Sequence, residues 1–352
     1  MWQFSGQLST WGSVATEAIA PLNMGGRYIP NIHWAEVNTN HHRIDMDAAI
    51  DLHGNLTFKQ LNDSKSETEL KPYRLWARYS GRQYEIRGGL QKINFGSATL
   101  LRPLMWFDSM DARDPLQMTD GVWGLLGRYY FLNNANLWVW ALMGNTQQRT
   151  WDMAPTRLHV PEWGGRLQHP LGQGEMALSG HHRATEALPS ATIPLPAGHE
   201  NRIALDGKWD VGPGLWFEGV WMGQNRPSVD DTHHLLLTVG ADYTLALGNG
   251  VMVMLEHLTM TTGKQAFQNE HSEAITAASC SYPIGMGGNL HYLVYHDWHQ
   301  HRQHHFINWK QQWNHWTLYL MAFTNRGTIY LPDHEGNRFA GNGGMVMVVF
   351  HH

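Results

Sequence analysis

From Tyr73 to Phe131 polar and apolar residues alternate with a period of two. Arg74, Trp76 and Arg78 alternate with Tyr73, Leu75, Ala77 and Tyr79, and Glu85, Arg87, Gly89 and Gln91 with Tyr84, Ile86, Gly88 and Leu90. After a long loop, Arg128 and Tyr130 alternate with Trp123, Leu125, Gly127 and Tyr129. Successive side chains of a strand point to opposite faces, so each segment reads as a β-strand with one apolar and one charged face. The aromatics stand at the ends of the apolar face, where a strand crossing a bilayer meets its two surfaces. This assigns Leu75 to lipid and Gln91 to an interior.

The pattern repeats in about 18 candidate strands, near 2–12, 27–38, 43–58, 69–80, 83–95, 121–132, 135–145, 161–169, 174–183, 201–210, 214–224, 232–246, 250–261, 272–283, 289–298, 304–313, 315–324 and 342–350. Every second connection is tight, as at Gly81-Arg82, Asn133-Asn134, Leu171 to Gln173 and Val211 to Pro213. These are hairpin turn residues. The others are longer and polar: 13–26, 59–68, 96–120, 146–160, 184–200, 225–231, 262–271, 299–303 and 325–341. Short turns at one end and long loops at the other are the habit of outer-membrane barrels. An even strand count leaves both termini on the short-turn side. The fold expected is an all-β transmembrane antiparallel up-and-down barrel of about 18 strands, with 16 as the neighbouring count. Its long loops lie on the cell-surface side.

Composition agrees. Of 352 residues, 42% are hydrophobic and only 16% charged, yet no run approaches the ~18 apolar residues that a membrane helix needs. The apolar character is spread through the alternation. The net charge of −5 without a basic run argues against a nucleic-acid partner. A single cysteine, Cys280, excludes a disulfide framework and a cysteine metal cluster, and no CxxCH motif attaches a haem. GxSxG, HExxH and P-loop motifs are missing, so neither an enzyme nor a cofactor is expected. Met1-Trp2-Gln3-Phe4 shows no signal peptide and reads as a mature or re-engineered start. His351-His352 reads equally as native sequence or tag remnant.

Two segments carry a resemblance. Gly89-Leu90-Gln91-Lys92-Ile93-Asn94-Phe95-Gly96 leads into a loop from Leu100 to Pro115. It resembles porin-like outer-membrane barrels of Gram-negative bacteria, in which a strand ending in G-x-Q-x-x-x-x-G precedes a long loop. The chain's end, Met345 to Phe350, resembles the closing strand of such proteins, although two histidines follow the phenylalanine. The resemblance implies a pore-type protein and names no solute.

Several constellations bear on function. Arg74, Arg78, Arg87, Arg128 and Arg166 are placed on consecutive inward faces of five strands, the fourth to the eighth. Asp45, Asp47 and Asp51 fall on the third strand, with Glu85, Asp206, Glu218, Asp242 and Glu256 elsewhere on inward faces. A basic wall beside acidic patches orients polar solutes and sets ion preference; alternatively the charges pair and simply fill a polar lumen. The loop 96–120 carries Arg102, Asp108, Asp111, Arg113, Asp114 and Asp120 together with Leu100, Leu101, Leu104, Met105, Trp106 and Phe107. So much apolar surface needs something to pack on, which predicts a loop folded into the pore as its constriction; an external cap is the other reading. His296, His299, His301, His304, His305 and Asp297 have spacings that a metal permits, but on an external hairpin tip they read as solvated, and no metal site is assigned. The pairs His41-His42, His181-His182 and His233-His234 sit near strand ends and read as interfacial. Trp76, Trp138, Trp140 and Trp216 face inward and either guide solutes by stacking or narrow the bore.

One outer-membrane barrel over residues 1–352 is thus expected. It would pass small polar or anionic solutes or ions, with membrane lipid and a homo-oligomeric or complex partner around it. The alternative is a structural barrel that holds a lipoprotein or an electron-transfer partner.

Overall fold

The computed structural model describes residues 1–16, 22–37, 42–60, 63–189, 195–226, 232–325, 339 and 341–352. Its strands are β1 (Trp2–Thr16), β2 (Leu22–Val37), β3 (Arg43–Gln60), β4 (Asp63–Ser80), β5 (Tyr84–Gln91), β6 (Val122–Tyr130), β7 (Asn136–Leu142), β8 (Glu162–Leu171), β9 (Gly174–Thr185), β10 (Gly198–Asp210), β11 (Gly214–Asn225), β12 (His233–Leu245), β13 (Val251–Gly263), β14 (His271–Ile284), β15 (Gly288–Asp297), β16 (Arg302–Gln312), β17 (Trp316–Asn325) and β18 (Gly341–His351). Each pairs antiparallel with its sequence neighbours, and β1 pairs with β18 from Gln7↔His351 to Thr16↔Asn342. The sheet closes without a free end, as a membrane-spanning sheet must when lipid offers no hydrogen bonds. Every candidate strand is present.

The facing follows the period of two. Leu75, Ile86, Leu125, Val139, Leu167, Leu178, Ile203, Val239 and Leu255 all point outward and are exposed. Aromatic contacts ring both ends of this apolar wall. At the short-turn end Trp316 meets Phe350 at 4.7 Å and Tyr129 meets Phe131 at 4.8 Å. At the long-loop end Trp163 meets His182 at 5.4 Å and Trp221 meets His233 at 5.5 Å. Two of the histidine pairs split: His182 and His233 join the outer girdle while His181 and His234 are buried inside. His42 stacks on Tyr79; His41 lies outside the described residues.

The strand ends depart furthest from expectation in three places. The segment 59–68 is not a loop: β3 and β4 continue as a hairpin to Gln60↔Asp63, and only residues 61–62 there fall outside the described set. Each strand has 18 residues, well beyond the 9–11 that cross a bilayer, so the hairpin projects past the membrane. Likewise β1 and β2 occupy most of 13–26, with residues 17–21 outside the described set. In the other direction β5 stops at Gln91 and not near 95, because the chain turns inward and buries Ile93 and Phe95. Gly89 prepares this turn with φ of +119°, and a Cβ there would lie 2.1 Å from the Leu75 carbonyl oxygen.

Tyr73 was expected to face lipid. An irregularity in the β3–β4 register, where Ala49 pairs with Arg74 and Ile50 with Pro72, leaves Tyr73 unpaired and turns it inward against Ile29, Ala49 and Met118. Of the outward glycines 88, 127, 165, 207 and 219, only Gly207 lies under an aromatic ring, that of Trp209. The closing strand also runs on past Phe350: His351 donates its backbone N–H to His315 O at 2.8 Å, and His352 exchanges backbone bonds with Gly6.

Candidate functional site

The segment between β5 and β6, residues 92–121, lies inside the barrel. Its apolar side chains Ile93, Leu100, Leu101, Leu104, Trp106 and Phe107 are buried with inward residues of the wall in one cluster. Phe95 stacks on Trp140 at 5.7 Å and meets Trp138 edge-on at 6.1 Å. On the opposite wall the inward faces of β11 to β18 are themselves apolar toward the long-loop end, with Val220, Leu236, Leu258, Ile275, Leu293, Phe306, Met345 and Met347 buried. The inner face here is thus mostly apolar, with the inward acids Glu218 and Glu256 set into it. A charged wall would leave the segment's leucines and aromatics without an apolar partner, and an apolar wall gives them one.

Two carboxylates hold the backbone of this segment. Glu218 on β11 accepts from Ala98 N at 2.7 Å and Leu104 N at 3.0 Å. Glu256 on β13 accepts from Thr99 N at 2.7 Å, Leu100 N at 2.9 Å and Leu101 N at 2.6 Å, and from Trp216 Nε1 at 3.0 Å. Between them Thr238 on β12 donates its hydroxyl to Leu101 O at 2.8 Å. Both carboxylates have 0% exposure. Backbone amides that leave a sheet and enter an interior must find acceptors there, and ionised acceptors make the stronger bonds.

The remaining charges of the segment are spent largely on itself. Arg102 bonds Asn94 and pairs with Asp108 at 3.4 Å, and Trp151 donates to Arg102 O at 2.8 Å. Arg113 forks onto Asp111, with a closest approach of 2.7 Å. Asp114 accepts from Leu116 N and Met118 N, both at 3.0 Å, and closes the turn. Asp120 pairs with Lys71 at 2.9 Å, and Arg74 donates to Thr119 O at 2.9 Å. Burial pushes the Asp108 carboxyl above its usual range against the pull of Arg102, and pushes the Lys92 ammonium below its own.

The five arginines stand on four strands, β4, β5, β6 and β8, because β7 contributes Trp138 between Arg128 and Arg166. Arg78 pairs with Asp45 and, at 3.4 Å, with Glu85; Arg128 pairs with Glu85 at 3.0 Å; Arg166 forks onto Asp206. Arg87 donates to Gln91 Oε1 at 2.5 Å and Lys92 O at 3.1 Å, and none of the ion pairs among the described residues includes it or Arg74. Tryptophans interleave: Arg78 and Arg87 lie 5.6 and 5.4 Å from Trp76, and Arg128 lies 3.6 Å from Trp138. Side-chain exposures of 25% for Arg78 and 18% for Arg128 show that water reaches this half of the lumen. Asp51 pairs with Arg27 at 3.1 Å, Asp47 accepts from Asn31 at 3.0 Å, and Asp242 lies half-buried opposite Gly214.

A further network was not foreseen. Segment 143–161 is tied to the wall through Arg149, Asp152, Glu162, Arg183, Glu200 and Arg202, all buried. Arg183 meets Asp152 at 3.0 Å and Glu200 at 2.8 Å, and Arg202 meets Glu200 at 2.6 Å. Burial alone would raise the Asp152 carboxyl, but Arg183, Arg149 and Arg202 hold it well below the usual carboxylate range. The sequence signal was Arg183 and Arg202 at loop-side strand ends, facing inward where water is scarce. The histidine hairpin disperses its side chains: His304 is buried inside, His305 meets Tyr292 outside, and Asp297 accepts from His299 N at 2.8 Å to close the turn. Among the described residues no group of three or more His, Cys, Asp or Glu is placed to hold a metal ion.

No protein-family model matches the chain, and a search of curated proteins found no match. Solved structures do match over its whole length. Pseudomonas aeruginosa OccK5 (OpdH) aligns with a TM-score of 0.60 at 11% identity, covering 100% of this chain and 97% of that one. OccK7 (OpdD) from the same organism gives 0.59 at 9% identity, covering 100% and 98%. The anion-selective porin from Comamonas acidovorans gives 0.53 at 12% identity, covering 100% and 99%. The fold is that of outer-membrane porins. At these identities the likeness speaks for architecture, and it agrees with the outward apolar belt and the two aromatic girdles in placing the barrel in an outer membrane.

Proposed function

We propose that this barrel is an outer-membrane channel for small polar solutes, with a leaning toward anions, whose bore is constricted by residues 92–121. The observation that carries the reading is the pinning of that segment inside the lumen by Glu218 and Glu256. A segment held by carboxylates over a packed apolar wall narrows the long-loop half, while the half toward the short turns stays wet and presents Arg78, Arg87 and Arg128 with Trp76 and Trp138. The likeness to a porin described as anion-selective supports the charge preference. No catalytic group takes part in this reading, and the constriction residues Arg102, Asp108, Asp111, Arg113 and Asp114 serve by shaping the segment. The long loops face the cell surface. Membrane lipid outside, small solutes or ions inside and a second copy of the chain are its partners.

A second reading, a closed structural barrel, is favoured by the continuity of the segment's apolar side chains with the buried faces of β11 to β18. Planar-bilayer recording of the wild type beside a variant with residues 97–117 replaced by a short Gly-Ser linker separates the two. Steps in the wild type that enlarge in the variant support the constricted channel. A silent wild type beside a conducting variant supports the structural barrel.

A further inference from the structure

The barrel wall is low where β5 to β7 stand. β4 begins at Asp63, but its pairing with β5 covers only Leu75 to Ser80, so its loop-side half has no β5 partner along one edge. Between that edge and segment 143–161 lies a cavity of about 620 Å³. That volume lies within the range of small-molecule sites, roughly 300–1,000 Å³. It opens at the outer side of the wall beside Pro72 and Trp123, both exposed, and reaches inward to Phe107 and Val122, both buried. Gly144 borders it in a left-handed conformation with φ of +88°, and a Cβ there would meet nothing within 4 Å.

We propose that this notch is a saccharide-binding site. The chemistry of its lining carries the assignment. Trp123 and Trp151 supply aromatic surface of the kind on which the C–H faces of a sugar ring pack. Between them the chain presents Thr146 and Gln147, which are exposed and make no side-chain hydrogen bond with the described residues, so a hydroxyl and an amide with both donors and acceptors face the opening. The charged groups of the lining are already matched. Asp120 pairs with Lys71 at 2.9 Å, Asp108 with Arg102 at 3.4 Å, and Arg149 with Asp152 at 3.2 Å. A site with aromatic surface, neutral hydrogen-bonding groups and internally balanced charge suits a neutral polyhydroxylated ligand and gives a strongly ionic one no net attraction. The ring sugars come from either a free oligosaccharide or the glycan headgroup of a membrane lipid, since the notch opens at the outer wall. The site lies beside the lumen, so the assignment does not depend on conduction.

The test is calorimetric titration of the purified full-length barrel in detergent with maltotriose, cellotriose and chitotriose, and separately with micelles carrying rough lipopolysaccharide or lipid A alone. Binding of a free trisaccharide identifies a soluble ligand. Binding of rough lipopolysaccharide in preference to lipid A, with no free sugar bound, identifies a lipid-linked glycan. Either supports the site if the double variant Thr146→Ala/Gln147→Ala and the variant Trp123→Leu each weaken binding at least tenfold while far-ultraviolet dichroism and heat-resistant gel migration match the wild type. Failure of every probe to bind the wild type overturns the proposal, as does wild-type affinity in both folded variants.

Discussion

Arg166 on β8 reaches across β9 and holds Asp206 on β10 with two guanidinium nitrogens, at 2.6 and 2.8 Å, while Ser179 of the intervening strand accepts a third bond at 3.0 Å. Both partners are buried. Such a pair fixes three strands relative to one another and offers little net charge to a passing solute. Asp206→Asn leaves a buried guanidinium half-satisfied and should cost about 3–5 kcal/mol. Replacing both partners, Arg166→Met with Asp206→Leu, should cost much less, because no unpaired charge is left behind. Urea unfolding in detergent, followed by tryptophan fluorescence, measures both; equal losses in the single and double variants would rule out the buried-charge account.

The Glu218 and Glu256 anchors make a different prediction. Glutamine at either position keeps the size but turns an amide N–H₂ toward backbone N–H groups that need an acceptor. Loss of a charged hydrogen bond costs about 1.5–3 kcal/mol. The pair Glu218→Gln/Glu256→Gln should therefore release residues 98–104 from the wall while the strands stay paired. Limited proteolysis should cut within 92–121 in the double variant and spare the wild type. An uncut double variant would show that apolar packing alone retains the segment.

The strands were legible in the sequence because lipid enforces a period of two on the outer face, as at Leu75, Ile86 and Leu125. The interior was legible only in part. Arg78, Asp45 and Glu85 were readable as inward charges, but their pairing depends on which strands meet at which height, and register is not written in any one strand. Tyr73 was misplaced because a single irregularity opposite Ala49 shifts the phase of β4, so that Lys71 and Tyr73 face inward before it and Arg74, Trp76 and Arg78 after it. The apolar inner faces of β11 to β18 were hidden for another reason. Their need arises from the leucines and aromatics of a segment more than a hundred residues away, so Leu236 or Ile275 alone gives no sign of what it covers. Glu218 and Glu256 did leave a trace: each is an inward acid flanked on its own strand by apolar residues, a placement that calls for donors from elsewhere.

Leu75 and Gln91 test the wall itself. Leu75 faces outward with 51% exposure, and an arginine there should cost about 2–4 kcal/mol if it lies near the midplane. From the sequence pattern alone, Gln91→Arg would be tolerated in a wet lumen. The structure predicts otherwise. Gln91 is enclosed, and its amide donates to Arg87 O at 3.1 Å and Gly124 O at 3.0 Å where the chain leaves the sheet. Both arginine variants should lower folding yield into detergent micelles or vesicles, whereas Leu75→Val should fold as the wild type does. Full recovery of Gln91→Arg would remove this residue from the turn-out of β5.

In the proposed channel, charge selectivity would rest on the balance between Arg87, bonded to neutral acceptors, and Arg78, bonded to Asp45. Removing the first takes a positive field from the wet half of the lumen. Removing the second takes one of the two cations from Asp45, leaving it only Arg43 at 3.2 Å, and so makes the local field more negative. The double variant Arg78→Gln/Arg87→Gln should therefore move the reversal potential in a salt gradient toward cations. The shift should be larger at 0.1 M than at 1 M salt, because the screening length falls from about 10 to about 3 Å. Adding Asp45→Asn to the double variant should return part of the shift, to about the value of Arg87→Gln alone, since the negative charge that Arg78 had offset is then gone. The measurement is made on the wild type if it conducts and on the linker variant if it does not. A triple variant with the same reversal potential as the double would mean that the Arg78–Asp45 pair stands away from the ion path, and the selectivity would then have to be sought at Arg74 and Arg128.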